Sequence, residues 1–264
     1  MPELPEVETI TRELKENILN KTIENIEVLN TKSFVNPDDI DINGEIETID
    51  RIGKYIVISI KEKATIFIHL RMTGKLIMCH GEETPRYIRI VFTFTDKTTI
   101  YFQDIRKFGR IEVYPYKTQL TQIKKIGIDA LDKKLHLHLF EKIITSKKQD
   151  IQSILLDQTL IAGIGNIYMQ EILYDAKISP IKNANSLKTK EIEKIYKSTI
   201  KILKIACKYN GTTISDFRTI DNKTGQFQNL LKVYGKKTCS KCKQPLTKIK
   251  NKGRTTTYCQ KCQK

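Results

Sequence analysis

The 264-residue sequence has no apolar run long enough to cross a bilayer, and its start lacks the pattern of a secretory leader. Both absences predict an intracellular protein without a membrane span. No internal repeat is visible. Acidic residues are in deficit: 30 Asp and Glu stand against 46 Lys and Arg, a net charge of +16. A surplus of that size must face something anionic, and nucleic acid or a membrane surface are the physical options. A disulfide framework is also missing. Of six cysteines, four are grouped near the C-terminus like metal ligands rather than spread along the chain. At this length the chain can hold two domains, each with its own core.

The hydrophobic pattern changes partway along. Leu4, Val7, Ile10, Leu14 and Ile18 recur at helical spacing. Residues 22–110 alternate like strands, with breaks at Gly53-Lys54 and Met72-Thr73-Gly74 and a hairpin turn at Asp96-Lys97. This density of β-branched alternation predicts a two-sheet sandwich. From about residue 116 the pattern is helical, with a long helix over 188–208 that stops at Asn210-Gly211. Residues 219–228 read as a mobile loop. The expected class is α+β: an N-terminal helix and β-sandwich, then a helical domain, then a cysteine-bearing β-hairpin.

Four groups of residues carry chemistry. If Met1 is removed, Pro2 becomes a secondary amine at the N-terminus, with an α-amino pKa of ~8 and able to form an iminium with an electrophilic carbon. Glu3 beside it is a candidate acid or base, while Glu6 and Glu8 suit the positive end of the first helix. The plain alternative is an ordinary capped helix start. Cys239-x-x-Cys242 and Cys259-x-x-Cys262, sixteen residues apart, have the spacing of a closed four-cysteine zinc site. Lys248, Lys250, Lys252 and Arg254 between them form a basic hairpin suited to phosphate or groove contact. The Gly163-Ile164-Gly165-Asn166 turn before a helix can hold a phosphate or be only a tight turn. Met72 and Phe108 sit at turns flanked by Arg71 and Arg106, where they are either core residues or wedges for a base stack.

These stretches together resemble the formamidopyrimidine-DNA glycosylase family of bacterial base-excision repair enzymes. The likeness runs through PELPEVE at the start, Lys54 after a glycine, HLRMTGK at 69–75, DIRKFG at 104–109, LLDQTLIAGIGNIY at 155–168 and the cysteine-bearing end. It implies that Pro2 attacks C1′ of a damaged nucleotide and that Glu3 moves protons at the sugar. It implies that Lys54 assists β-elimination and Arg254 assists δ-elimination from the zinc hairpin. Asn166 and Lys147 then contact the DNA backbone, and Met72, Arg106 and Phe108 fill the gap left by an extruded nucleotide. The expected substrate is damaged double-stranded DNA carrying oxidised purines, acted on by a monomer with one structural zinc in a bacterial cytoplasm, associated with the nucleoid.

The sequence departs from the family pattern at Tyr87, where the family often has histidine, at Gln152, where it often has lysine, and at Ile105, where it has proline. Tyr87 remains a candidate DNA contact. The division implied is a catalytic domain over 1–115, a linker over 116–128, a helix–two-turn–helix domain over 129–228 and a zinc finger over 229–264. Two other readings compete. One is the related endonuclease VIII branch, which acts on oxidised pyrimidines and usually begins Pro-Glu-Gly-Pro-Glu. Leu4 and the complete Met72, Arg106 and Phe108 set favour the purine branch. The other is a non-catalytic nucleic-acid binder, against which Pro2, Glu3 and Lys54 stand.

Overall fold

Helical spacing of apolar residues at the start of the chain becomes a helix, α1 (Leu4–Ile18), whose Leu4, Val7, Ile10, Leu14 and Ile18 are all buried. The computed structural model describes residues 1–79 and 85–264. By packing, the chain divides into two units: Met1–Lys124 with Tyr209–Gln226, and Lys125–Lys208 with Phe227–Lys264.

Among the described residues of the first unit α1 is followed by nine strands: β1 (Thr22–Val28), β2 (Phe34–Val35), β3 (Gly44–Ile52), β4 (Tyr55–Ile60), β5 (Ala64–His69), β6 (Lys75–Cys79), β7 (Ile88–Phe94), β8 (Thr99–Gln103) and β9 (Arg110–Pro115). A single helical turn, α2 (Leu120–Ile123), comes after them. The strands pair in the order β2-β9-β5-β4-β3-β1-β7-β8-β6. The β1–β3 junction is short, with Thr22 opposite Glu45, Ile23 opposite Gly44 and Ile46 bonded to Asn20 and Lys21 just before β1, and the two halves of the sheet meet there. Ile46, Ile58, Ile66 and Ile68 from one half and Leu76, Phe92, Phe94 and Ile100 from the other surround one small interior void with Leu14 and Ile18 of α1. The expected sandwich is therefore present. Strand β5 is buried along its whole length, which explains why Ile66, Phe67 and Ile68 follow one another there without alternation. β9 lies beyond the stretch read as strands, yet Ile111 and Val113 alternate inward and it pairs with β5.

Residues 209–226 belong to this first unit rather than to the helices that precede them. Ile220 is fully buried, its N–H donates to Glu13 at 2.9 Å, and its carbonyl accepts Met78 N–H at 3.0 Å. The start of the segment expected to be a mobile loop is thus fixed by long-range bonds that local composition does not reveal.

The second unit contains β10 (Ile128–Asp129), α3 (Leu137–Thr145), α4 (Ile151–Leu156), β11 (Ile161–Ala162), α5 (Asn166–Ala176), α6 (Thr189–Lys208), β12 (Thr247–Asn251) and β13 (Arg254–Tyr258). Asp150 caps α4 by accepting Ser153 N–H at 2.8 Å. Gly165 is the N-cap of α5. Helix α6 buries Ile192, Ile195 and Leu203, and the chain then turns through two left-handed residues, Asn210 and Gly211. Among the described residues no helix is long and apolar enough to cross a membrane.

Candidate active site and metal centre

Pro2 and Glu3 are buried at the start of α1, not frayed. The Glu3 N–H donates to Glu6 Oε2 at 2.7 Å, and Thr212 N–H donates to Glu6 Oε1 at 2.6 Å. Sequence reading treats Glu6 only as a partner for the helix dipole. The structure buries its carboxylate and makes it the fixed point of the N-terminus. The Glu3-x-x-Glu6 spacing of a capping box was the signal.

Lys54 sits, largely buried, in the two-residue turn between β3 and β4. Arg51 connects this turn to α1: its Nε donates to Glu8 Oε2 at 2.7 Å and its Nη1 to the Gly53 carbonyl at 2.9 Å. His69, absent from the sequence reading, lies at the end of β5. Its ring meets Tyr55 edge-on at 4.6 Å, and its Nδ1 accepts Arg71 N–H at 3.0 Å. Burial, then the positive charges of Arg71 and Lys54, push its pKa down to about 3. A neutral imidazole therefore stands near the lysine. Its place in the HLRMTGK stretch was visible, but its burial was not.

Met72 and Phe108 are 42% and 50% exposed, so neither is a core residue. Arg106 lies between them, its guanidinium 4.8 Å from the Phe108 ring centroid and its Nη1 3.2 Å from Met72 Sδ. Both turns are held by Asp104, a fully buried carboxylate. Its Oδ1 accepts the Thr73 hydroxyl and Arg106 N–H, and its Oδ2 accepts Gly109 N–H at 2.7 Å. Tyr87 is exposed and left-handed (φ 60°), and its carbonyl accepts Asp104 N–H.

In the second unit Asn166, Tyr234, Lys248 and Arg254 line one cleft. Arg254 directly follows the β12–β13 turn at Lys252-Gly253, whose two positive φ values (46° and 76°) match a tight hairpin turn. Lys147 is paired with Asp157 at 3.2 Å and does not line that cleft. Gln152 is buried, with its Oε1 accepting the Thr256 hydroxyl at 2.7 Å.

The sulfurs of Cys239, Cys242, Cys259 and Cys262 all lie within 4.8 Å of one another. The Cys242–Cys259 and Cys239–Cys262 separations are 3.5 and 3.9 Å. Tetrahedral thiolate ligation at about 2.3 Å needs sulfurs about 3.8 Å apart, so the four fit a structural metal site with no ligand position left over. Gln263 fastens this end of the chain, its Nε2 donating to the Ile178 carbonyl at 2.9 Å.

Comparison with known proteins bears on the same residues. Residues 1–111 match the family model of the formamidopyrimidine-DNA glycosylase N-terminal domain, and residues 126–218 match that of the same family's H2TH domain. The chain belongs to the formamidopyrimidine-DNA glycosylase family. It is accordingly a DNA-repair glycosylase and abasic-site lyase. Formamidopyrimidine-DNA glycosylases of Carboxydothermus hydrogenoformans and Streptococcus mutans are each 39% identical to it, over 100% of both chains. A point mutant of the Lactococcus lactis family member, in complex with Fapy-dG-containing DNA, is 34% identical with a TM-score of 0.91 over 99% of each chain. The Thermus thermophilus MutM structure is 30% identical with a TM-score of 0.90, covering 99% of this chain and 98% of its own.

Proposed function

We propose that Pro2, freed by removal of Met1, is the nucleophile of this enzyme and that oxidised purines in duplex DNA are its substrates. The observation that carries this reading is the Arg51 bridge, which connects the helix bearing Pro2 and Glu3 to the turn bearing Lys54. The Pro2 nitrogen lone pair attacks C1′ of the damaged nucleotide, the C1′–base bond breaks and the base leaves. Glu3 protonates the ring oxygen, so the sugar opens to an iminium on Pro2. Lys54 assists loss of the C2′ proton and departure of the 3′ phosphate. Arg254 assists the second elimination, which releases the 5′ phosphate.

Asn166, Lys147 and Tyr87 contact the DNA backbone. Met72, Arg106 and Phe108 enter the space left by the extruded nucleotide, with the Arg106 donors facing the orphaned base. Exposed apolar tips beside a guanidinium, held by a buried carboxylate, support this assignment. The metal is zinc: four thiolates with no open position match its structural sites. When bound, the ion neutralises the thiolates and fixes the base of the hairpin. The functional division is a catalytic domain over 1–115, a linker over 116–128, a helix–two-turn–helix domain over 129–228 and a zinc finger over 229–264, with residues 209–226 packed in the first unit. The enzyme acts as a monomer in the cytoplasm.

The test is borohydride trapping on duplexes carrying 8-oxoguanine, formamidopyrimidine or an oxidised pyrimidine. A reduced covalent adduct through Pro2, formed fastest on the two purine lesions, is expected. Strand cleavage at an undiminished rate by protein shown to retain Met1 would sink the proline mechanism. Faster trapping on oxidised pyrimidines would overturn the lesion assignment; a Lactococcus lactis relative has been crystallised with oxidised-pyrimidine DNA.

A further inference from the structure

The metal site fixes the hairpin only at its base. Arg254 is five residues from Cys259 along an extended strand, about 17 Å away. An isolated two-stranded hairpin is marginally stable, so the cysteines alone leave the arginine on a lever. The structure supplies a second attachment partway along β13, made by two buried glutamines.

Gln170 lies one turn after Asn166 on α5, and its side-chain amide behaves like a neighbouring strand. Its Oε1 accepts Thr257 N–H at 2.8 Å, and its Nε2 donates to the Thr255 carbonyl at 3.2 Å. These backbone groups lie on the edge of β13 that faces away from β12. The Asn166 Nδ2 donates to the same Thr255 carbonyl at 3.2 Å, and Gln170 Nε2 also donates to the Asn166 carbonyl at 3.0 Å. On the next residue, Thr256 donates to Gln152 Oε1 at 2.7 Å. Gln152, Gln170, Thr256 and Thr257 are all at least 95% buried, so water does not compete for the Gln170–Thr257 and Gln152–Thr256 bonds; the Thr255 carbonyl lies nearer the surface.

We infer that Gln170, seconded by Gln152, is a positioning residue that makes Asn166 and Arg254 one phosphate-gripping unit. The two are 88 residues apart in sequence, yet both are tied to the Thr255 peptide. This inference rests on the proposal that Asn166 contacts the DNA backbone and that Arg254 acts at the departing 5′ phosphate. Gln152 stands where the family commonly has lysine, so at this position the chain uses a neutral buried amide to hold the strand.

A double-mutant cycle tests the coupling. The ligand is a duplex carrying a tetrahydrofuran abasic analogue, which binds without reacting. Asn166→Ala and Arg254→Ala are measured singly and together, first in the natural background and then with Gln170→Met, which keeps the side-chain volume and removes the amide. In the natural background the combined loss should depart from the product of the single losses by about threefold or more. With Gln170→Met the losses should multiply, while metal stays stoichiometric. Multiplicative losses in the natural background, or coupling that survives Gln170→Met, would overturn the inference. If Gln170→Met does not fold, Thr256→Val removes the Gln152 bond instead and should weaken the same coupling; full coupling there also overturns it. Failure of the proline chemistry shows separately, as absence of a borohydride adduct from the unmodified enzyme.

Discussion

Glu6 joins the first residues of the chain to Thr212, accepting its N–H at 2.6 Å across 206 residues. The adjacent Gly211 has φ +74°, and a Cβ there would come within 2.5 Å of Glu6 Oε1. Replacing Glu6 with glutamine turns one acceptor into a donor that faces a backbone N–H. A buried bond lost in this way costs about 1–3 kcal/mol. Glu6→Gln should lower the melting temperature and slow borohydride trapping, and Gly211→Ala should do the same through strain and collision. Unchanged melting and trapping in both variants would show that the N-terminus is held by other contacts.

Truncation of the exposed tips separates stability from excision. Met72→Ala and Phe108→Ala should each change stability by no more than about 0.5 kcal/mol, as surface substitutions do, instead of the roughly 2–5 kcal/mol of a core truncation. Both should bind undamaged duplex normally and lose excision. Arg106→Ala should also blur discrimination of the opposite base. Thermal melts beside single-turnover excision against each of the four opposite bases decide the matter. A large drop in melting temperature with intact excision would return these residues to a packing role.

Loss of one thiolate should release the metal without unfolding the sandwich. Cys239→Ser is expected to lose stoichiometric zinc by elemental analysis and to weaken DNA binding, because the base of the Arg254 hairpin is no longer fixed. Full zinc occupancy in that variant would mean that the ligand set is wrong.

His69 predicts a specific acid sensitivity. Its pKa in the folded protein is pushed down to about 3 from an ordinary value of 6.5. Between those values the unfolded chain binds a proton that the folded chain refuses, so stability falls as pH drops. The slope from this one group is about 1.4 kcal/mol per pH unit. Its contribution is complete above pH 6.5 and is lost progressively toward pH 3. Urea titrations of the natural protein and of His69→Gln over that range should differ by this one-proton slope. Parallel stability–pH curves would show that His69 titrates normally.

What the sequence determined by itself was whatever local spacing encodes. The apolar face of α1, the strand alternation, the hairpin at Asp96-Lys97 and the four-cysteine spacing all come from side chains a few residues apart, where backbone geometry alone places them together. The Pro2-Glu3 start, the Arg106 turn and the Gly163–Asn166 turn were legible for the same reason. Tertiary structure alone decided which polar groups are buried and what they hold: Glu6 with Thr212, Asp104 with Gly109 and Thr73, Ile220 with Glu13, and Gln170 with Thr257. Most of these bonds span tens to hundreds of residues. Their partners are mostly backbone N–H groups, which every residue except proline carries and which leave no mark on the sequence. A carboxylate or amide becomes an anchor only once the fold has removed water from around it, and that removal is a property of the assembled core.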